Sequence, residues 1–316
     1  MAEYLSCVGL ALLPPPIANW IRRRRGASIH PTAHIRFGAL VAYRHLYVEK
    51  EAEIGRFCLV HGEDVHIGRG ATVKSLSVVR ARRITLAQGA EVAPLSIVFG
   101  PVDGDLSSFS LGSLSKVFPF CWIEPGQGVT IGSRSGVGGH NLIFTHGSWA
   151  NYFAGAPVAF GPVHIGDDVW LPWRVFIMPN VSIGDRAIIG AGSVVTKDIP
   201  TESLSAGIPA REVRAVAYAT LSQADRVLRA DEAIASFRHA FPQYADCDVQ
   251  IQTCGDKTTP ACPRIVFDTP CDVSARLPTI DVVHQKSWNT AGDPLAVSLL
   301  SHLTRYGVRI FEDEPV

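Results

Sequence analysis

Among the side chains able to move a proton at neutral pH, His146 has the most telling surroundings. It ends the run Ile143-Phe144-Thr145-His146, after which Gly147 to Pro162 (GSWANYFAGAPVAFGP) interrupts an otherwise regular pattern. An imidazole is well suited to take a proton from a hydroxyl as that hydroxyl attacks a carbonyl. Trp149, Tyr152, Phe153 and Phe160 are costly to leave in water on a projecting loop. The segment is therefore expected against a ligand or a partner subunit, with folding back onto its own wall as the alternative. A histidine at such a corner also serves as a structural residue, and position alone leaves both roles open.

Other residue sets invite different chemistry. His140 precedes His146 by six residues, and His61 and His66 form a second pair, so a metal held by histidines is an alternative. Seven cysteines stand at 7, 58, 121, 247, 254, 262 and 271, the last four within 25 residues but with no Cys-x-x-Cys pair. Their odd count and scatter fit reduced thiols in a cytoplasm better than a disulfide framework or a zinc knuckle. Lys plus Arg and Asp plus Glu both number 29, so no global field draws the chain to nucleic acid.

The N-terminus is apolar from Leu5 to Leu13, then basic at Arg22, Arg23, Arg24 and Arg25. Charge order and the stop at Pro14-Pro15-Pro16 argue against a secretory signal, and the run is too short to span a bilayer. Two expectations follow. The segment (1–28) is a helix packed on the body with a solvated basic end, or it contacts a membrane surface, with Trp20 and the four arginines at anionic headgroups.

What positions His146 is a repeat. Ile165, Leu171, Ile177, Ile183, Ile189 and Val195 recur every six residues, with Val169, Val175, Val181, Ala187, Ser193 and Ile199 as the fifth member of each hexad. Neither the strand period of two nor the helix period of 3.6 gives this beat. Short strands that turn every six residues close a triangle in three hexads, which stack as coils with aliphatic columns inside. The fold class is thus an all-β solenoid, a parallel β-helix. The beat runs upstream through Ile131, Val137 and Ile143 and more loosely back to Ile29. Slips at 41–48, 60–67 and 123–131 predict bulges or wider corners. Beyond the solenoid, Leu221, Val227, Leu228, Ile234 and Phe237 have helical spacing, and a small α/β unit is expected from about 242 to 316.

A smooth β-helix has flat walls, so sites form where a loop leaves a coil or where walls of neighbouring subunits meet. The stretches THGSWANYFAGAPVAFGPVHIGDDVW and IMPNVSIGDRAIIGAGSVVTKDIPTESLSAGIPAREVR resemble the active-site half of the galactoside and maltose O-acetyltransferases, within the hexapeptide-repeat acyltransferase family. The likeness is close from about 143 to 214 and weaker back to 29. It implies a left-handed β-helix over 29–216, a homotrimer, acetyl-CoA as acyl donor, and His146 as general base. It further implies coenzyme contacts at Trp173, Ala191, Thr196, Lys197, Arg211 and Arg214. The sequence departs from that family in having Trp173 where a small residue is usual, His146 three residues after its last aliphatic, and the extension 217–316.

The resemblance implies O-acetyl transfer to a sugar or related small hydroxyl acceptor; the cysteines place the protein in the cytoplasm, with peripheral contact at the inner face of the membrane as the alternative that Trp20 and the arginines raise. Its alternatives are a zinc hydratase like the γ-type carbonic anhydrases, which share this fold, and a non-catalytic scaffold. Which carboxylate, if any, orients His146 is not legible from spacing: Glu124 lies roughly one coil before it, and the two-residue slip between 123 and 131 leaves its direction open.

Overall fold

The computed structural model describes residues 2–147, 151–216, 222–244, 248–254, 262–268, 279–281, 286–288, 294–303 and 311–312. The chain divides into two units, Met1–Ala217 and Tyr218–Val316.

In the first unit, hexads wind into a left-handed β-helix with three parallel walls. The first wall runs from Ser28–Ile29 to Ser182–Ile183, and the third from Leu40–Ala42 to Val194–Val195, each with eight strands. The second, of ten strands, begins at His34–Ile35 and ends in an antiparallel pair, Ser203–Gly207 with Ala210–Ala215. Like residues stack on like: Ile143 pairs with Ile177 and Ile177 with Val195. Ile165, Leu171, Ile177, Ile183, Ile189 and Val195 are each at most 3% exposed. Burying each such side chain stabilises the fold by about 1.5–3 kcal/mol.

Each corner between the second and third walls needs a residue with positive φ. Large side chains supply it at Phe57, Leu76, Leu95, Phe120 and His140, with φ between 55° and 63°. Phe57, Leu76 and Leu95 are 19 residues apart, one more than three hexads. The extra residue widens the corner between the third and first walls, before strands His45–Val48, Asp64–Ile67 and Arg83–Leu86. This is the physical form of the slips.

The three walls differ outside. On the third, the outward column Leu40, Leu59, Val78, Ile97, Trp122, Leu142, Phe176 and Val194 is apolar in every coil. The matching column of the first wall is polar from His66 through Thr85, Ser110, Thr130 and His164 to Ser182.

Helices α1 (Ala2–Ala11) and α2 (Pro15–Arg24) pack at the start of the rod, where the Gly38 N–H donates to the Ala11 carbonyl at 3.0 Å. The expectation of four solvated arginines fails at Arg22, which is 2% exposed. Its Nη1 donates to Asn19 Oδ1 at 2.9 Å and its Nη2 reaches the Ala39 carbonyl at 3.5 Å. Burial pulls the Arg22 pKa below its ordinary value, against opposing effects of Tyr43 and Cys7. Arg23 donates to the carbonyls of Ile29 (3.0 Å) and His30 (3.3 Å), and Arg24 lies over the Trp20 ring. Half of the basic run therefore joins helix to rod. Among the described residues no helix is long and apolar enough to cross a membrane.

The second unit contains α3 (Gln223–Ala240), started by a capping box between Ser222 and Asp225, and α4 (Pro294–Leu303). Five strands order as Asp248–Cys254, Cys262–Asp268, Thr279–Asp281, Lys286–Trp288 and Phe311–Glu312, antiparallel except the last pair. Ile234 and Phe237 are buried as their spacing implies, whereas Leu228 is 58% exposed. Leu221, Cys247 and Cys271 lie outside the described residues.

Cys7, Cys58 and Cys121 are not in disulfides. Burial pushes Cys121 up to about 11, so at pH 8 only about one thiol in a thousand is thiolate. Alkylation of native protein at pH 8, mapped by mass spectrometry, should label half-buried Cys7 well before Cys121, and denaturant should abolish the difference.

Candidate active site

Glu124 ends the strand Trp122–Glu124, and Phe144 of the next coil pairs with it in register. Two residues past Phe144, the His146 ring turns back so that Nδ1 lies 2.8 Å from Glu124 Oε2. The same oxygen accepts from the Thr145 hydroxyl (2.7 Å) and N–H (3.3 Å), and Oε1 accepts from the Gly126 N–H at 2.8 Å. A carboxylate with both oxygens occupied is held in one orientation and stays an acceptor. With Nδ1–H donating to it, His146 keeps the Nε2 lone pair as the basic atom. The Glu124 side chain is 12% exposed and that of His146 45%, so the imidazole faces solvent while its partner does not.

The widened corner makes this possible. Residues 125–128 turn with Gly128 at φ 96°, and a Cβ on Gly126 would sit 2.5 Å from Glu124 Oε1. Thr145 braces the turn by accepting from the Gln127 N–H at 2.9 Å. The signal available in sequence was the slip after Ile123 together with Gly126 and Gly128.

The loop after His146 leaves as an antiparallel pair, His146–Gly147 with Ala159–Phe160. The Phe160 ring stacks near the imidazole, at 6.4 Å and 20°. At its tip Asn151 caps the short 3₁₀ turn Tyr152–Ala154 by accepting from the Phe153 N–H. Tyr152 is 67% and Phe153 96% exposed, so the described part of this arm does not fold back on its own wall. Trp149 lies outside the described residues.

The six residues expected at a coenzyme fall into separate groups. Trp173 and Ala191 occupy the corner between the second and third walls in consecutive coils, where the Gly192 N–H donates to the Trp173 carbonyl at 3.0 Å. Gly139 is required beneath, because a Cβ there would collide with the Trp173 indole. Arg211 pairs with Ala206, which packs over Gly190 of the same corner. Thr196 and Lys197 leave the third wall at its opposite end, the end of His146, with Lys197 two coils above Thr145, about 10 Å along the rod. Arg214 lies opposite Leu204, farther along the second wall. Arg211 and Arg214 donate only to neighbouring carbonyls, and none of Lys197, Arg211 or Arg214 is in an ion pair among the described residues. Only an extended molecule lying along the third wall touches both groups.

The histidines considered for a metal are dispersed. His140 stacks on Phe120 at 5.0 Å and meets Trp173 at the far end of the wall from His146. His61 lies on the third wall, whereas His66 lies on the first and binds Glu49 at 2.6 Å. Among the described residues no three His, Cys, Asp or Glu side chains are grouped to hold a metal ion.

The model of the bacterial transferase hexapeptide (six repeats) matches residues 162–197. Residues 162–197 are thus hexapeptide repeats. Across 56 residues the chain is 52% identical to a protein of Staphylococcus aureus (strain COL) named as an acetyltransferase, covering 18% of this chain and 28% of that one. It is 51% identical across 55 residues to the galactoside O-acetyltransferase of Escherichia coli (strain K12), covering 17% and 27%. The chain thus spans just over a quarter of the length of these curated relatives. A solved galactoside acetyltransferase in complex with coenzyme A overlaps at a TM-score of 0.35 with 28% identity, over 43% of this chain and 66% of that one.

The Glu124–His146 contact can be observed directly. The Nδ1 proton should give a downfield imidazole resonance in proton NMR that disappears in Glu124→Ala and persists in Phe160→Leu.

Proposed function

We propose that this chain transfers an acetyl group from acetyl-CoA to a hydroxyl of a small acceptor, a sugar, with His146 as general base. The observation that carries this reading is the Glu124–His146 pair at the root of the arm, on a rod whose residues 162–197 match hexapeptide repeats and which has named acetyltransferases among its relatives. Acetyl-CoA supplies a thioester carbonyl as the electrophile. His146 Nε2 takes the acceptor's proton as its oxygen attacks that carbonyl, Glu124 stabilises the imidazolium formed, and His146 returns the proton to the departing thiolate sulfur. Trp173, Ala191, Thr196, Lys197, Arg211 and Arg214 are the coenzyme contacts. The three cations answer its phosphates, and the exposed backbone at Ala191 and Thr196 answers the amides of the pantetheine arm. Tyr152 and Phe153 close over the acceptor.

The working assembly is a homotrimer in which the apolar third wall meets a second copy. An outward column without a charge from Leu40 to Val194 is costly in water, and a partner wall covers it while forming a crevice beside His146. Trp20, with Arg24 against it, is the part of the N-terminal segment that suits peripheral contact with anionic headgroups in the cytoplasm.

His146→Ala should lower acetyl-CoA-dependent turnover by about 10²- to 10⁴-fold and leave coenzyme affinity nearly unchanged. Wild-type turnover in that variant removes His146 from the mechanism. Sedimentation should show three chains, and the pair Leu142→Glu and Phe176→Glu should shift the protein to single chains. A wild-type protein that sediments as one chain ends the trimer.

A further inference from the structure

The third wall has a second outward column, nearer the corner that holds His146. It comprises Ala42, His61, Arg80 and Phe99 in register, then Glu124 and Phe144, with Glu124 following Ile123 as Phe99 follows the paired Val98. Arg80 is the one arginine in it. Among the described residues its side chain makes one hydrogen bond, from Nη1 to the Gly100 carbonyl at 2.7 Å, and its guanidinium lies over the Phe99 ring, 4.9 Å from the centroid. Arg36, Arg82, Arg134 and Arg186 each meet a carboxylate; among the described residues Arg80 does not, and neither do Arg44, Arg56, Arg83 and Arg174, none of which lies in this column.

We propose that Arg80 is the anion-binding subsite of the acceptor, and that the acceptor is a sugar bearing a carboxylate or phosphate. The proposal rests on the acetyl-transfer reading. A half-buried arginine beside an apolar column suits a counter-charge, and among the described residues the wall offers none next to it: Glu124 is saturated by Thr145, Gly126 and His146. The ring of Phe99 and the Gly100 carbonyl fix the plane of the fork, leaving four of its five N–H donors for a planar or tetrahedral anion. Two coils separate Arg80 from Glu124, about 10 Å. That span suits one hexose ring and its charged substituent, with a hydroxyl at His146. The coenzyme phosphates are not the anion meant. Lys197, Arg211 and Arg214 lie on the C-terminal side of His146 along the rod, and Arg80 on the N-terminal side.

The test is acetyl-CoA thiol release with glucose and galactose, with glucuronate and galacturonate, and with glucose 6-phosphate, for wild type, Arg80→Gln and Arg80→Lys. The expected result is a carboxylate or phosphate sugar favoured at least tenfold in kcat/KM over its neutral parent. Arg80→Gln should then raise its KM by about 10- to 100-fold, with little change in kcat or in use of the neutral sugar. Arg80→Lys should recover part of the loss, since it restores charge without the fork. The two anionic arms decide between carboxylate and phosphate. Equal use of neutral and anionic sugars, or an equal loss on both in Arg80→Gln, overturns the subsite and leaves Arg80 a brace for Gly100. If no acceptor gives His146-dependent release, acetyl transfer itself fails. Calorimetric binding of galacturonate and glucose 6-phosphate then judges Arg80 alone: binding that Arg80→Gln abolishes sustains the subsite, and absence of binding to wild type overturns it.

Discussion

Each coil of the rod hands its backbone hydrogen bonds to the next, so inward side chains must fit a triangular cross-section that hardly changes from end to end. Two inward positions per side fit branched aliphatics or small residues, and the chain supplies them from Ile29 to Ile199. Walls bound in register on both sides cannot bend to make a pocket. Departures are confined to corners, where an added residue or loop leaves the ladder unbroken above and below. All the candidate chemistry therefore lies at corners or on the outward faces beside them.

The Glu124–His146 pair depends on that confinement. The base and its carboxylate come from neighbouring coils, and neither could face the other from the middle of a wall, where side chains point straight out. The turn at 125–128 lets the Glu124 carboxylate fold back, and Thr145 ties it to the foot of the arm. Its carbonyl accepts from the Gly161 N–H at 3.1 Å and its hydroxyl from the Gln127 N–H at 2.9 Å, so one residue fixes where the arm leaves and where it returns. The strength of the dyad thus comes from backbone contacts, which side-chain substitutions elsewhere on the arm leave in place.

Much of this was legible in the sequence because interior positions repeat in register. The hexads located the walls, and the break after His146 located the arm. Glu124 was in view but not its direction, since the slip after Ile123 could have turned it either way. Arg22 shows the limit at the ends of the rod: four successive arginines look alike in sequence, and only the packing of α2 on the first coil decides which one is buried. Arg80 was missed for a similar reason, because an outward charge on a β-helix acquires meaning from residues 19 positions away in each direction. In α3, Ile234 and Phe237 followed the helical period, but Leu228 fell on the outer face. Spacing alone does not set the width of the buried stripe.

The helical hairpin at the start of the rod has a consequence for how such molecules coexist in a crowded solution. A parallel ladder ends in a row of unmated amides and carbonyls, an invitation for another rod to add on end to end. Here Ala11 and the side chains of Arg22 and Arg23 already occupy groups of the first coils, and two helices have no strand edge to offer in exchange. Growth into a filament is blocked at that end by geometry, so the length of the rod is written into the chain and stays independent of its concentration.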